Sequence, residues 1–378
     1  MADNNRVRYV NNHIHTTYSF SPYTPTAAVE TAKKNGLETA GCMDHDSSAG
    51  SWEFIEAGKK FGMPVTVGVE CRVDMSKTPL NGRLINNPDQ DSIAYVAMHG
   101  IPHQNIDAVN EWFAPYRAFR NERNDAMCKN IDVLVRPFGL SLDFERDVLP
   151  LSNYAVGGSV TERHITYALS KKITTKYQTP PEVVSFLRDG MNLPLDKKKN
   201  DMLLSGDKYP QYYEYDILGI LKSSLVERFY VNADKECPDV SEFIAMVREF
   251  GGISAYPYLG DVGDSVTGDK KAQKFEDDYL DELMVVIKDL GFDAVTYMPT
   301  RNSPAQLDRI MSLCEKNRFF QISGEDINSP RQSFICKAYE DPKFYHLVDA
   351  AFTLIDYENA ATENIAAARE KFSFIFEK

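Results

Sequence analysis

The sequence contains no long apolar run, no closely spaced cysteines and no excess of basic residues, and each absence excludes a class of protein. No stretch approaches the roughly 18 apolar residues that a membrane-spanning helix requires. The segment from Met1 to Tyr9 is polar, so we expect neither a signal peptide nor a membrane anchor. The six cysteines are scattered without a C-x-x-C motif, which is typical of reduced thiols rather than of a disulfide framework or a zinc ribbon. These absences together predict a cytoplasmic protein.

Basic residues are outnumbered by acidic ones. The 42 Lys and Arg residues stand against 55 Asp and Glu residues, so the formal net charge is −13. This charge disfavours nonspecific attraction to nucleic acids and to anionic membranes. Hydrophobic residues nevertheless make up 43% of the 378 residues, which is enough to bury a sizeable core. We therefore expect a globular protein whose partner is a small solute, with no nucleic acid polymer and no membrane, and the sequence predicts no oligomeric state.

The order of strand and helix signals predicts an α/β fold with an insertion. Up to residue 100, extended apolar runs alternate with capped helices, and the same alternation returns from residue 239 onwards. Repeated strand-helix units predict parallel strands with the helices outside them. Residues 101–238, which lie between, are mostly helical in pattern. We predict a barrel domain made of residues 1–100 and 239–378, and a mostly helical inserted domain of residues 101–238.

Histidine is scarce, but its distribution is informative, because six of the seven residues fall before residue 165. His13 and His15 are two apart in a predicted strand, so their side chains point to the same face and can meet one cation. Four further strand ends carry metal-ligating residues: His45 within Asp44-His45-Asp46, Glu70, His99 and Asp326. Imidazoles together with carboxylates that can bridge two cations suit a polynuclear site of borderline to hard metals. The carboxyl edge of a barrel is where such a site is expected.

These motifs also occur in a recognisable order. The series is His13-x-His15-Thr16-x-x-Ser19, Asp44-His45-Asp46, Gly68-Val69-Glu70 and His99-Gly100. It resembles the PHP family (polymerase and histidinol phosphatase), in its small metal-dependent phosphoesterase branch. The resemblance covers most of the chain and includes the insertion, where Arg120-x-x-Arg123 and Glu162-Arg163-His164-Ile165 are similar to the family's inserted segment. Further along, Ala255-Tyr256-Pro257 falls where the family has Ala-His-Pro, and Ser323-Gly324-Glu325-Asp326-Ile327-Asn328 falls where it has Gly-Ser-Asp-x-His.

The resemblance implies a distorted (β/α)7 TIM-like barrel that binds one to three divalent ions, which would be zinc, manganese, iron or magnesium. The ligands implied for the first ion are all present: His13, His15, Glu70 and Asp326. Those implied for the second ion fall on Phe20, His45 and Asn328, and those for the third on Glu70, His99 and Tyr256. Phe20, Asn328 and Tyr256 depart from the family pattern, although Asn and Tyr can still offer an oxygen to a metal.

The activity that the resemblance implies is hydrolysis of a small phosphorylated metabolite or nucleotide by metal-activated water. His45 is a candidate catalytic residue, and Asp44 or Asp46 would orient it or handle protons. Five residues are candidates for binding the substrate: Arg163, His164, Arg120, Arg123 and Tyr256. Arginine suits this role because its planar fork pairs with two phosphate oxygens.

Three other functions are compatible with parts of this pattern. The first is that of a catalytically degenerate relative that binds a phosphorylated ligand without turnover, because Phe20, Tyr256 and Asn328 depart from the pattern together. The second is that of a metal-dependent amidohydrolase, but no lysine at a strand end is a candidate for carbamylation. An accessory role in DNA polymerisation is disfavoured by the acidic charge and by the lack of a polymerase-length extension.

Overall fold

Seven strands follow one another across a single curved sheet in the order of the sequence. A computed structural model of the chain describes residues 7–261 and 274–377. The strands are β1 (Val10–Ile14), β2 (Thr39–His45), β3 (Val65–Asp74), β4 (Ile93–His99), β5 (Ile253–Pro257), β6 (Ala294–Thr296) and β7 (Phe320–Ile322). A bridge between Ile14 and Ile327 brings the first strand against the segment that follows the last one. The predicted distorted barrel of seven strands is confirmed.

One strand runs against the predicted direction. The register is parallel for the other neighbouring pairs, but β4 is antiparallel to both β3 and β5. No helix forms in the connection of residues 75–92, which the structure describes in full. Antiparallel neighbours need no crossover helix, whereas parallel ones do. The prediction of parallel strands is therefore wrong for β4, and His99, its last residue, lies nearer the base of the barrel than the carboxyl edge of the parallel strands.

Helices surround the sheet and begin at predicted capping residues. Thr24 caps the first helix ahead of Pro25, and Thr179 and Ser303 open later helices with capping boxes. The α-helices before the end of the insertion are α1 (Pro25–Lys34), α2 (Ser51–Phe61), α3 (Ile106–Trp112), α4 (Ala114–Val135), α5 (Glu162–Lys176), α6 (Pro180–Ser185), α7 (Lys197–Leu204) and α8 (Pro210–Phe229). Those after it are α9 (Val240–Phe250), α10 (Leu280–Leu290), α11 (Pro304–Asn317), α12 (Tyr345–Glu363), α13 (Ile365–Lys371) and α14 (Ser373–Phe376).

Successive residues of each strand pack on opposite faces of the sheet. Met43, Ala97 and Ala255 face inwards and pack with Leu354 of α12. Glu358 of the same helix accepts a hydrogen bond from the Val67 backbone N–H (2.9 Å) at the start of β3. Helix α12 therefore closes the base of the barrel and leaves its opposite end for the polar side chains described below.

The helices of the insertion form a second hydrophobic core, in which residues of α4, α5 and α8 pack together. Ile106, Val109 and Phe113, at and just after α3, pack instead in the core of the barrel. We therefore propose that the inserted domain begins at α4 rather than at residue 101.

Among the described helices, none combines the length and the apolar character needed to cross a bilayer. The expected absence of a signal segment concerns Met1 to Tyr9, of which residues 1–6 lie outside the described part of the chain.

Candidate metal centre

Three imidazole rings meet at the open end of the barrel. Strand β1 turns His13 and His15 to the same side, with ring centroids 5.0 Å apart. The last residue of β2, His45, stacks on His15 with 4.7 Å between centroids. Because β1 and β2 are parallel neighbours, residues at their carboxyl ends are brought together by the sheet itself. His13 and His15, two residues apart, thus lie on the same face of β1, as the sequence predicts.

Glu70 lies at the middle of these rings. Its Oε2 atom is 3.6 Å from Nε2 of His13, 3.8 Å from Nε2 of His15 and 3.2 Å from Nδ1 of His45. Asp326 approaches from the loop after β7, with Oδ1 3.2 Å from Nε2 of His15. Two sets of three residues have ligand atoms within 4.8 Å of one another: His13, His15 and Asp326, and His15, His45 and Glu70. His15 belongs to both sets, but its Nε2 can bind only one ion, so a second ion beside the first would depend on His45 and on a bridging Glu70 carboxylate.

The charges in this cluster suit cation binding. Burial raises the pKa of the Glu70 carboxyl, but attraction to His45, His13 and His15 outweighs it and lowers this pKa to about 2. Burial lowers the pKa of His45 to about 3 despite the attraction of Glu70. Carboxyl groups bind metal as carboxylates and imidazoles bind it in the neutral form, and at neutral pH Glu70 and His45 are in these states.

Two buried imidazole nitrogens lack hydrogen-bond partners among the described residues. They are Nδ1 of His45 and Nε2 of His99. His99 is only 2% exposed, and burial lowers its pKa to about 3. An unpaired buried polar atom is costly, although Nδ1 of His45 does lie 3.2 Å from Oε2 of Glu70. A metal ion is one partner that an imidazole nitrogen can take. In register, Ala97 pairs with Glu70, so His99 lies two residues deeper in the barrel than Glu70.

The loop after β7 brings Asp326 to the centre because Gly324 allows a close approach. A Cβ atom at Gly324 would lie 2.7 Å from the backbone nitrogen of His13. Asn328 donates a hydrogen bond from Nδ2 to Oδ1 of Asp326 (2.7 Å). Its own Oδ1 atom is buried without a hydrogen-bond partner in the described chain. Asn328, which the sequence predicts as a metal ligand, thus contacts a ligand and carries a free oxygen beside it.

The two acidic neighbours of His45 do not contact its ring. Asp44 lies on the other face of β2, where it accepts hydrogen bonds from Thr16 and Ser19. Asp46 has a positive φ of 49°, which Asp tolerates better than most residues, and its carboxylate pairs with Nη1 of Arg120 at 2.8 Å. Neither carboxylate is placed to orient His45 directly, in contrast to the sequence expectation for Asp44 and Asp46.

Arg120 and Arg123 lie in a buried ion network rather than at an open surface. Arg123 pairs with Glu162 and through Nε with Oε2 of Glu236 (2.5 Å), and Arg120 Nε lies 3.3 Å from Oε1 of the same Glu236. Arg72 of β3 also pairs with Glu236. Three arginines thus face Asp46, Glu162 and Glu236, so the charges balance. These carboxylates occupy the donors that the sequence assigns to substrate, so the structure does not support that assignment for Arg120 and Arg123.

His164 and Arg163 begin α5 but have different surroundings. His164 is 2% exposed and its Nδ1 accepts a hydrogen bond from the backbone N–H of Thr161 (3.0 Å), so it caps the helix. Its ring lies edge-on to Phe20, 5.0 Å between centroids. Burial raises the pKa of Asp326, but the hydrogen bond and charge of His15, the charge of His13 and, least of these, the charge of Arg163 hold it well below its usual value.

Tyr256 lies away from the imidazoles. It is 1% exposed and packs, together with Val295 beside it in register, in the core between sheet and helices. Its hydroxyl is 3.4 Å from Oε1 of Glu276. Ala255, its neighbour, faces the inside of the barrel, so the alternation of the strand turns Tyr256 outwards. The structure therefore does not support the predicted contact of Tyr256 with substrate.

Sequence reasoning assigned no role to Ser19 and Tyr95. Ser19 lies 3.3 Å from Nδ1 of His15, and Tyr95 has its ring centroid 5.9 Å from that of His45. The sequence could have indicated Ser19, because this residue belongs to the His13-x-His15-Thr16-x-x-Ser19 motif. Tyr95 carried no signal, since its position follows from the antiparallel pairing of β4.

Comparison with known proteins identifies related sequences and folds. A family model described as PHP domain matches residues 11–174. Over 78 residues, 20% of this chain, the sequence is 34% identical to an error-prone DNA polymerase of Nocardia farcinica, and the match spans 7% of that polymerase. A "putative metal-dependent phosphoesterase" of Bifidobacterium adolescentis has a TM-score of 0.57 at 19% identity, covering 90% of this chain and 97% of that one. An amidohydrolase of Chromobacterium violaceum with bound sulfate and no metal has a TM-score of 0.56 at 14% identity, covering 90% and 96%. At these identities the two structures establish the fold alone.

Proposed function

We propose that this chain, which contains a PHP domain in residues 11–174, is a metal-dependent hydrolase of small phosphate esters. The observation that carries the proposal is the cluster of three imidazoles around Glu70, with Asp326 at its side. The buried Nε2 of His99, which has no hydrogen-bond partner among the described residues, is a further observation that a role in folding alone does not explain.

The residues of the cluster would bind two divalent ions. His13, His15, Glu70 and Asp326 would hold one divalent ion of zinc, manganese, iron or magnesium. His45 and Glu70 would hold a second, and His99 would extend the set towards the base of the barrel. When bound, such an ion lowers the pKa of water towards 7 and stabilises charge on phosphoryl oxygens. His45 remains the proposed catalytic residue of the centre.

The substrate is proposed to be a small phosphorylated metabolite or nucleotide that enters beside the insertion. Arg163 supports this, because its charge contributes, after His15 and His13 and against burial, to lowering the pKa of Asp326, and guanidinium groups pair with phosphate oxygens. The net charge of −13 gives no general attraction for an anionic substrate. A local cation beside the metal would therefore have to provide that attraction.

The proposed hydrolase is tested by phosphate release from a panel of nucleotides and sugar phosphates, with manganese, magnesium or zinc added. We expect wild-type protein to release phosphate and Glu70→Gln to lose at least about 100-fold in kcat/KM, because the anion at the middle of the cluster is gone. Glu56→Gln, at a side chain that is 66% exposed on α2, is the matched control and should retain full activity.

The second candidate function is binding of a phosphorylated ligand without turnover. It is favoured by Phe20, which replaces a family ligand and packs against His164, and by Asn328, which donates to Asp326. Saturable binding of a nucleotide by the metal-loaded protein, with no phosphate released under any metal, would establish this function and contradict the hydrolase.

A further inference from the structure

His15 presents its two ring nitrogens to different surroundings. Nε2 faces the centre, 3.2 Å from Oδ1 of Asp326 and 3.8 Å from Oε2 of Glu70. Nδ1 faces away from the centre and lies 3.3 Å from the hydroxyl oxygen of Ser19. His15 is 1% exposed and Ser19 is fully buried. Which nitrogen carries a proton is therefore decided by protein groups rather than by water.

Ser19 is held in turn by Asp44. Its hydroxyl lies 2.6 Å from Oδ1 of Asp44, an atom that also accepts the backbone N–H of Thr16 at 2.7 Å. The Thr16 hydroxyl donates to Oδ2 of the same carboxylate at 2.6 Å. Distances this short between hydroxyl and carboxylate oxygens are typical of bonds to an ionised acceptor. Asp44 is 1% exposed, so these donors compensate for the burial of its charge.

The direction of the Ser19 bond follows from the number of protons. A carboxylate can only accept, so the single hydroxyl proton of Ser19 is directed at Asp44. The Ser19 oxygen can then only accept from His15, and Nδ1 of His15 has to carry a proton. When a metal ion lies between Nε2 and the carboxylates of Asp326 and Glu70, the imidazole is neutral and the other nitrogen, Nε2, is left with its lone pair. That lone pair points to the centre.

We propose that Ser19, held by Asp44, is a positioning residue that fixes the Nδ1–H tautomer of His15 and so presents Nε2 to the metal. The inference rests on the metal centre of the proposed function. It assigns Asp44 to His15, through Ser19, and not to its sequence neighbour His45. The local fold makes this possible, because a turn closed by the Ser19 N–H and the Thr16 carbonyl (3.1 Å) brings Ser19 back beside β1.

The first test is zinc affinity of the full-length protein after removal of metal with a chelator. Loss of a hydrogen-bond partner behind a metal-binding histidine typically weakens affinity about 10-fold to 100-fold, and we expect this loss in Ser19→Ala. Ser48→Ala is the matched control. Its hydroxyl is also buried and donates one hydrogen bond, to the carbonyl of Ile106 (2.7 Å), without contacting a ligand. The control should bind zinc as wild type does.

The second test observes the protonation of the two His15 ring nitrogens directly. In the zinc-loaded wild-type protein with nitrogen-15 histidine, long-range proton-nitrogen correlation should show His15 bound through Nε2 with a proton on Nδ1. In Ser19→Ala that proton should exchange faster with water. If Ser19 has only a structural role, neither signal will differ between wild type and Ser19→Ala.

The outcomes separate this inference from the proposed function. Zinc binding by wild type that Ser19→Ala leaves unchanged, or a proton found on Nε2 of His15, would overturn the inference alone. Absence of zinc binding by wild type would overturn the proposed metal centre and the inference with it. If Ser19→Ala does not fold, the Nδ1 proton of wild-type His15 decides the question: a hydrogen bond to Ser19 shifts its signal downfield, and the absence of that shift would overturn the inference.

Discussion

Glu276 is a buried carboxyl group behind β5 whose ionisation depends on its surroundings. It has no solvent exposure, and burial, reinforced by the charge of Asp277, raises its pKa from 4.5 to about 7 against opposing backbone hydrogen bonds such as that from Leu259 (2.8 Å). A raised pKa means that the folded state binds the proton more tightly than the unfolded state does. Folding stability is therefore highest below pH 4.5 for this group and is lost as the pH rises to about 7.

Glu276→Gln is expected to remove this dependence. Between pH 5 and pH 8 the free energy of unfolding of wild type should fall relative to that of the variant, by a difference on the order of 3 kcal/mol at most. Urea unfolding of chelator-treated protein at both pH values measures it. Other titrating groups cancel in the comparison, so parallel pH profiles for the two proteins would contradict the expectation.

The residues of the candidate site were predictable from sequence only where one strand decides their direction. His13 and His15 share a face because they are two apart in β1. The role of Asp44 was not predictable, since its partners Thr16 and Ser19 come from another strand end, 28 and 25 positions away. Arg120 looked like a phosphate ligand for the same reason: its carboxylate partner Glu236 lies 116 positions further on.

At the scale of elements, caps were predictable and the pairing of β4 was not. Helix ends depend on residues within a few positions, as Thr24 and Ser303 show. The direction of a strand depends on the path of the connection before it. Nothing in the sequence of residues 75–92 indicated that this connection would leave β4 antiparallel to β3. The predicted parallel direction of β4 would have placed His99 at the upper edge, whereas the structure places it beneath Glu70.

The buried ion network joins β3, α4 and α5 to the segment before α9. Glu236 is its shared acceptor, because Arg72, Arg120 and Arg123 all contact its carboxylate. Its side chain is 2% exposed, so the charge is compensated by protein groups alone. The network links the insertion to the barrel close to Asp46, which follows His45 in the chain.

Glu236→Gln is expected to destabilise the protein by about 3 to 5 kcal/mol, because removal of one partner from a buried ion network leaves uncompensated charge. Chemical denaturation measures the change. Glu56→Gln, on the exposed face of α2, is the control and should unfold as wild type does. An unchanged free energy of unfolding in Glu236→Gln would show that the carboxylate charge of Glu236 does not stabilise the folded protein, in contradiction to the prediction.

In the whole molecule, the insertion contacts the barrel on more than one side of the candidate centre. Ser47 donates to the carbonyl of Gly157 at 2.8 Å on one side. Arg331, three residues after Asn328, forms a two-bond ion pair with Asp216 of α8 at 2.6 and 2.7 Å on another. Phe20 packs on Tyr167 of α5. The division into barrel and helical insertion was predictable from the alternation of elements, but these contacts between distant segments were not.

The central claim is that this arrangement binds divalent metal through Glu70, and metal content measures it most directly. Wild-type protein and Glu70→Ala would be loaded with zinc, dialysed and assayed by elemental analysis. We expect at least stoichiometric zinc in wild type and a loss of most of it in Glu70→Ala, since the carboxylate contacts all three imidazoles. Equal zinc in the two proteins, or none in wild type, would contradict the claim.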